Sequence, residues 1–258
     1  MTPSQNYIQR CREIVERIAE QEEMISEVAG RFAESILKGR VVHLFGSGHS
    51  RIMVEEMWPR YGSFPGFNPI VELSLTFHNQ VSGANGQRQA MFLENVTGLA
   101  GRILRNFDIS EDDTALVVSS SGCNIVPIEI AEQFQEHGVW VAGLVSLAHC
   151  EGSESKRDDG KKLVNFSDRV LDTGAPLGDS MIQVDGLPTP VSPGSTVGGC
   201  MIVNALKAEI ARLLTESGQP PRVLTSSAIV GKKQAEELFE SAYDEHSRRM
   251  AVLYGGNG

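Results

Sequence analysis

Val41-Val42-His43-Leu44-Phe45-Gly46-Ser47-Gly48-His49-Ser50 carries the main architectural signal of the chain. A short apolar run stops at Gly-Ser-Gly, and a helix-forming segment with Glu55, Glu56 and Met57 follows. Read physically, a buried strand ends in a turn suited to glycine. The chain then re-enters as a helix whose first backbone N–H groups lack partners within the helix. Unpaired donors and the positive helix end both favour a phosphate or carboxylate there, and Ser47 and Ser50 add hydroxyls. Glycines at strand ends are also plain turns, so one such loop decides little. A dinucleotide is not expected, because its fingerprint needs a third glycine where Arg51 stands.

The pattern returns at Ala115-Leu116-Val117-Val118-Ser119-Ser120-Ser121-Gly122-Cys123-Asn124, with Pro127 near the first turn of the helix beyond it. Two Ser/Gly loops at strand ends can hold one phosphate from two sides. The apolar runs 41–45, 115–118 and 139–145 alternate with helical spacing, which indicates a parallel sheet covered on both faces. The expected fold is an α/β three-layer α-β-α sandwich around a central parallel sheet, with an N-terminal helical segment.

Composition narrows the function classes. The chain has 258 residues, 23 basic and 33 acidic side chains and a net charge of −10. That argues against a general nucleic-acid binder, which would show a basic face. It does not argue against a phosphorylated ligand, which responds to the local field of a loop. No apolar run approaches the roughly 18 residues of a membrane span, and no signal-peptide core is read. Cys11, Cys123, Cys150 and Cys200 are scattered without Cys-x-x-Cys, the pattern of reduced thiols in a cytoplasmic protein. No cofactor, metal, nucleic-acid or membrane partner is expected.

The chain reads as one domain over 1–258: helical at 1–38, a core at 39–216 and a C-terminal extension at 217–258. Tyr7, Ile8, Cys11, Ile14, Val15 and Ile18, then Met24 to Ile36, recur at helical spacing up to Gly39. Their polar flank suits either solvent or a dimer contact. A helix is predicted at about 50–57, broken by Pro59, and a short strand at Ile70-Val71-Glu72-Leu73. One helix is predicted over about 88–107, with Phe92, Val96, Leu99, Ile103 and Phe107 on one face. Further helices are expected at about 125–137, 195–216 and 232–249, with a strand near Arg169–Asp172 and a mobile tail after residue 253.

With both loops in view, the sequence resembles the SIS (sugar isomerase) domain family of phosphosugar-binding proteins. Gly46-Ser47-Gly48-His49-Ser50 is similar to that family's Gly-x-Gly-x-Ser loop. Ser119 to Asn124 is similar to its Ser-x-Ser-Gly-x-Thr loop, with Asn124 where Thr or Ser is usual. The resemblance covers about residues 35–216. It is nearest to an uncharacterised bacterial branch, through Pro127-Ile128-Glu129, Ser146-Leu147-Ala148-His149 and Asp185-Gly186-Leu187. It implies a phosphorylated sugar ligand held by Gly46, Ser47, Gly48, His49, Ser50, Ser119, Ser120, Ser121, Gly122 and Asn124. It also implies a homodimer, possibly a tetramer, with sites near the subunit boundary.

Interconverting an aldose and a ketose phosphate through an enediol needs a base beside the carbonyl, and a carboxylate raised by burial suits that role. Glu56 is the first candidate, about 9 Å along the helix from Ser50. Glu55-Glu56-Met57-Trp58-Pro59-Arg60-Tyr61 also resembles a segment of sedoheptulose-7-phosphate isomerases in which the second glutamate is catalytic. Those enzymes' histidines fall near Cys200 and Ile52 here, so zinc and heptose chemistry are not supported. His78, His49 and Glu94 are the other acid–base candidates. Ser195 and Thr196 either cap the late helix or touch the ligand. Asp172, Asp179 and Asp185 either make turns or bind sugar hydroxyls, and Lys161 and Lys162 read as solvated charges. A hydrolase triad has no support. Two alternatives stay open: a phosphosugar lyase or deaminase using the same proton abstraction, and a non-catalytic phosphosugar sensor or regulatory subunit. Regulators of this family usually add a helix-turn-helix domain, and none is read here, which favours an enzyme.

Overall fold

The computed structural model describes residues 1–76 and 86–255. Two amphipathic helices open the chain, α1 (Pro3–Ala19) and α2 (Glu22–Leu37). α1 begins in a reciprocal cap between Thr2 and Gln5. The helical spacing over 4–38 is interrupted at Glu20 and Gln21. There the Gln21 amide donates to the Asp172 carbonyl and accepts from the Asp172 N–H, both at 2.8 Å. One side chain thereby satisfies a sheet edge that would otherwise be left unpaired.

The remaining elements follow as β1 (Val42–Gly46), α3 (Arg51–Met57), β2 (Phe67–Ile70), α4 (Leu73–Thr76), α5 (Gln87–Leu93), α6 (Leu99–Leu104), β3 (Thr114–Val118), α7 (Ile125–Glu136), β4 (Trp140–Val145), α8 (Leu147–Glu151), β5 (Arg169–Asp172), α9 (Ser195–Glu216), α10 (Ser227–Val230) and α11 (Lys232–Gly255). The five strands pair in parallel in the order β2-β1-β3-β4-β5.

The alternation within each strand builds the layers. Val42, Leu44, Leu116, Val118, Ala142 and Leu144 face one way, against Phe32, Ile202, Val203 and Leu206 of α2 and α9. Phe45, Ala115, Val117, Val141 and Val145 face the other, against Val126, Ile130 and Phe134 of α7. Each of these side chains is shielded from water, and a buried Val, Leu or Phe contributes about 1.5–3 kcal/mol. Two such cores explain why continuous rather than alternating apolar runs mark these strands.

Three predicted elements differ from the structure. The strand expected at 70–73 lies at Phe67–Ile70, and Leu73–Thr76 is helical. Pro69 is tolerated because β2 is an edge strand. The single helix expected over 88–107 is two, parted at Gly98 (φ 82°), whose N–H donates to the Glu129 carboxylate of α7. Phe92, expected on the inner face, is 71% exposed. The last helix runs to Gly255, beyond the expected end at 249, because Leu253 is buried and its carbonyl accepts from Asp108 N at 2.7 Å.

Candidate functional site: the crevice between the β1 and β3 loops

In the strand order found here, β1 and β3 are neighbours whose connections leave in opposite directions. A ligand crevice is expected at that switch point, beyond the carboxyl ends of the strands. Gly46 pairs with Val118 in register, so Ser47 and Ser119 leave the sheet side by side. A cleft of about 330 Å³ opens there. Both loops are shaped by glycine. A Cβ on Gly46 would lie 2.7 Å from the Ser50 carbonyl oxygen, and Gly122 has φ 63°.

The second loop is framed by its own hydrogen bonds. Gly122 N donates to Ser119 Oγ at 3.2 Å, Cys123 N to Ser121 Oγ at 3.3 Å, and Ser146 N to the Ser120 carbonyl at 2.9 Å. Asn124 precedes α7 but does not cap it. Its amide donates instead to Glu94 Oε1 at 2.8 Å. Ser47 Oγ donates to Glu94 Oε2 at 2.8 Å, and Val126 N donates to the Glu94 carbonyl at 2.9 Å. One carboxylate therefore ties the two Ser/Gly loops together at the wall of the cleft. Burial pushes its pKa up, against the pull of the Ser47 and Asn124 hydrogen bonds.

The opposite wall comes from the ends of β4 and β5. His149, in α8, places Nδ1 3.4 Å from Ser120 Oγ, while its N–H donates to Ser146 Oγ at 3.2 Å. Asp179 accepts from Gly194 N at 3.0 Å and from Ser195 N and Oγ at 2.8 and 2.5 Å, fixing the start of α9. Thr196, Met53, Leu75 and Met91 also face the cleft. The described lining contains two carboxylates and two histidines, His49 and His149, but no Lys or Arg. Hydroxyl, amide and imidazole side chains are thus the polar groups, besides the two carboxylates, that face the cleft.

Of the candidates drawn from sequence, Ser47, Gly48, His49, Ser50, Glu94, Ser119, Ser120, Ser121, Asn124, Ser195 and Thr196 line this one cleft. Gly46 and Gly122 shape the loops without lining it. His78 lies outside the described residues. Glu56 lies elsewhere, in a groove with Glu55, Arg60, Tyr61 and Tyr243. It accepts from Arg60 Nη1 at 2.6 and 2.5 Å and from Asn204 Nδ2 at 2.8 Å. Burial works to raise its pKa, but those bonds prevail and bring it below the usual value. Asp179 lines the cleft, whereas Asp172 makes a turn, accepting from Leu147 N and Gly174 N. Lys162 donates to the Cys150 carbonyl and Lys161 lies over Phe166, both away from the lining.

Ser146-Leu147-Ala148-His149 marks the position of His149 in the sequence without pointing to a role for it. Gln87 and Thr173 also line the cleft, and nothing local in the sequence marks them. Among the described residues, no three His, Cys, Asp or Glu side chains gather as a metal-ligand set, and no helix is long and apolar enough to cross a membrane.

The matches to known proteins follow the same architecture. Residues 6–146 match the SIS domain. This chain belongs to the SIS domain family. A UPF0309 protein of Geobacillus sp. (strain WCH70) is 31% identical over 252 residues, covering 97% of this chain and 98% of the relative. A UPF0309 protein of Halalkalibacterium halodurans is 29% identical over 248 residues, covering 96% and 97%. Among solved structures, this SIS protein is similar to the NanR protein of Vibrio vulnificus complexed with ManNAc-6P, with a TM-score of 0.49 and 16% identity, covering 94% of this chain and 67% of that one. It is likewise similar to a phosphoheptose isomerase from Francisella tularensis, with a TM-score of 0.49 and 14% identity, covering 81% and 94%.

Proposed function

We propose that the crevice binds a phosphorylated sugar and isomerises it between aldose and ketose forms, with Glu94 as the base. SIS membership supports the ligand class. The observation that carries the reaction is Glu94 itself, a carboxylate with a raised pKa held by one residue from each phosphate-type loop. A base of that kind is matched to removing the weakly acidic proton beside a carbonyl. In this reading the hydroxyls of Ser50 and of Ser119 to Ser121 hold the phosphate, and the carbonyl end of the sugar reaches Glu94. Glu94 takes the proton from the carbon next to the carbonyl, an enediolate forms, and the proton returns to the neighbouring carbon. An imidazole on the facing wall, His149, moves the proton between the two sugar oxygens.

A second reading is a sugar-phosphate sensor. It is favoured by one feature: both Glu94 oxygens already accept a hydrogen bond, so the residue can serve as a clamp between loops. Proton NMR in D₂O with pentose, hexose, heptose and amino-sugar phosphates separates the two. Deuterium entering beside the carbonyl supports the isomerase. Thermal stabilisation by a sugar phosphate without exchange supports the sensor, and neither response removes the ligand class.

A further inference from the structure

A second concavity, of about 400 Å³, lies at the other end of the sheet, where Ile36 and Pro65 stand ahead of β1 and β2. Pro220 and Pro221 form part of its wall, and their fixed backbone angles make that wall stiff. Arg222, Arg248 and Arg249 line it against a single acidic residue, Glu245. Three arginines facing one glutamate leave a surplus of two positive charges, in a chain whose net charge is −10.

The arginines are held in distinct ways. Arg249 gives Nε and Nη2 to Glu245 Oε1 at 3.1 and 2.9 Å. Its Nη1 donates to the carbonyls of Ile36 and Arg40 at 3.1 and 2.7 Å. It is thus locked to the turn that feeds β1. Arg222 Nη1 donates to Glu245 Oε2 at 2.8 Å and keeps its other donors. Arg248 is exposed and has no ion-pair partner among the described residues. Glu245 therefore acts as a spacer that holds two guanidiniums apart at the pocket wall, and the third is left for a ligand.

We propose that this pocket binds a small, multiply charged oxyanion, a phosphate ester or a polycarboxylate, at a site separate from the crevice. Planar guanidiniums match carboxylate and phosphate oxygens in pairs. A prefixed Arg249 and a proline wall reduce the ordering that binding would require. In an acidic chain the long-range field repels anions, so binding has to come from a local surplus such as this one. The inference does not depend on the isomerase reading.

Calorimetric titration of the full chain with inorganic pyrophosphate and with citrate, at constant ionic strength, tests it. At least one of them binds, and Arg222→Ala and Arg248→Glu each weaken it about tenfold or more, as loss of a charge-assisted contact implies. Ser121→Ala, in the crevice loop, leaves that binding in place. Arg222→Lys retains the charge without the fork and loses part of the affinity, which keeps the test valid if the alanine variant folds poorly. Binding of pyrophosphate alone identifies a phosphate ligand, and binding of citrate alone a polycarboxylate. Binding of neither, binding indifferent to the arginine variants, or binding abolished by Ser121→Ala would overturn the proposal.

Discussion

The Ser47 hydroxyl donates to Glu94 Oε2 at 2.8 Å, joining residues 47 positions apart in the chain. With Asn124 bound to the other oxygen, this places the only glutamate of the described cleft lining between its two Ser/Gly loops.

Glu94→Gln is expected to abolish deuterium exchange while leaving ligand-induced thermal stabilisation largely intact. The amide can accept from Asn124 and donate to Ser47 Oγ, so both loops stay tied. Undiminished exchange in this variant would remove Glu94 from the chemistry. The sign for stability follows from the same burial. A carboxylate whose folded pKa is raised contributes stability below its unfolded pKa, and that contribution is lost as pH rises through the folded value. The melting temperature of the variant relative to the parent should therefore climb between acid and neutral pH.

Asn124→Ala removes a hydrogen bond that favours the charged form of Glu94, so its pKa should rise further. If Glu94 is the base, the limb of the pH–rate profile on which activity increases with pH moves to higher pH. A lower rate with an unmoved limb would mean that Asn124 serves only to shape the loop.

Glu56→Gln is expected to preserve both exchange and ligand binding, because its carboxylate points into the Arg60–Asn204 groove. Loss of the partly exposed ion pair with Arg60 should lower stability by no more than about 1 kcal/mol. Abolished turnover in a folded variant would bring Glu56 back as the base.

Asp113 predicts the acid behaviour of the fold. It sits wholly buried at the foot of the sheet, where Arg40 donates to both its oxygens at 2.9 and 2.7 Å. His43 Nε2 lies 3.2 Å from Asp113 Oδ2. Burial opposes ionisation, yet His43 and Arg40 hold the carboxyl down at about 2. With its folded pKa depressed, Asp113 contributes stability above its unfolded pKa of about 3.9, and that is lost as pH falls towards 2. Asp113→Asn should cost about 2 kcal/mol at neutral pH and flatten the loss of stability below pH 4. An unchanged denaturation midpoint at pH 7 would contradict this.

The parallel sheet and its two Ser/Gly loops are legible in local sequence. The Val/Leu runs leading into Gly46 and into the Ser119–Gly122 loop are local signals, and the group a Cβ on Gly46 would strike, the Ser50 carbonyl, lies only four residues on. The sequence also pointed to the late helix, whose apolar residues recur over 22 positions. Glu94 could be named as a carboxylate on a helix, but nothing in its surroundings distinguished it from a solvated charge. Glu56 carried the stronger local pattern. Their surroundings differ only in three dimensions: Glu94 lines the crevice and Glu56 a separate groove. The turn at Gly98, fastened by Glu129, and the bonds from Ser47 and Asn124 bring Glu94 into the cleft. Arg60 and Asn204 hold Glu56, which lines a different groove. His149 and Asp179 likewise joined the site because parallel strands deliver their carboxyl ends to one edge, whatever the distance along the chain.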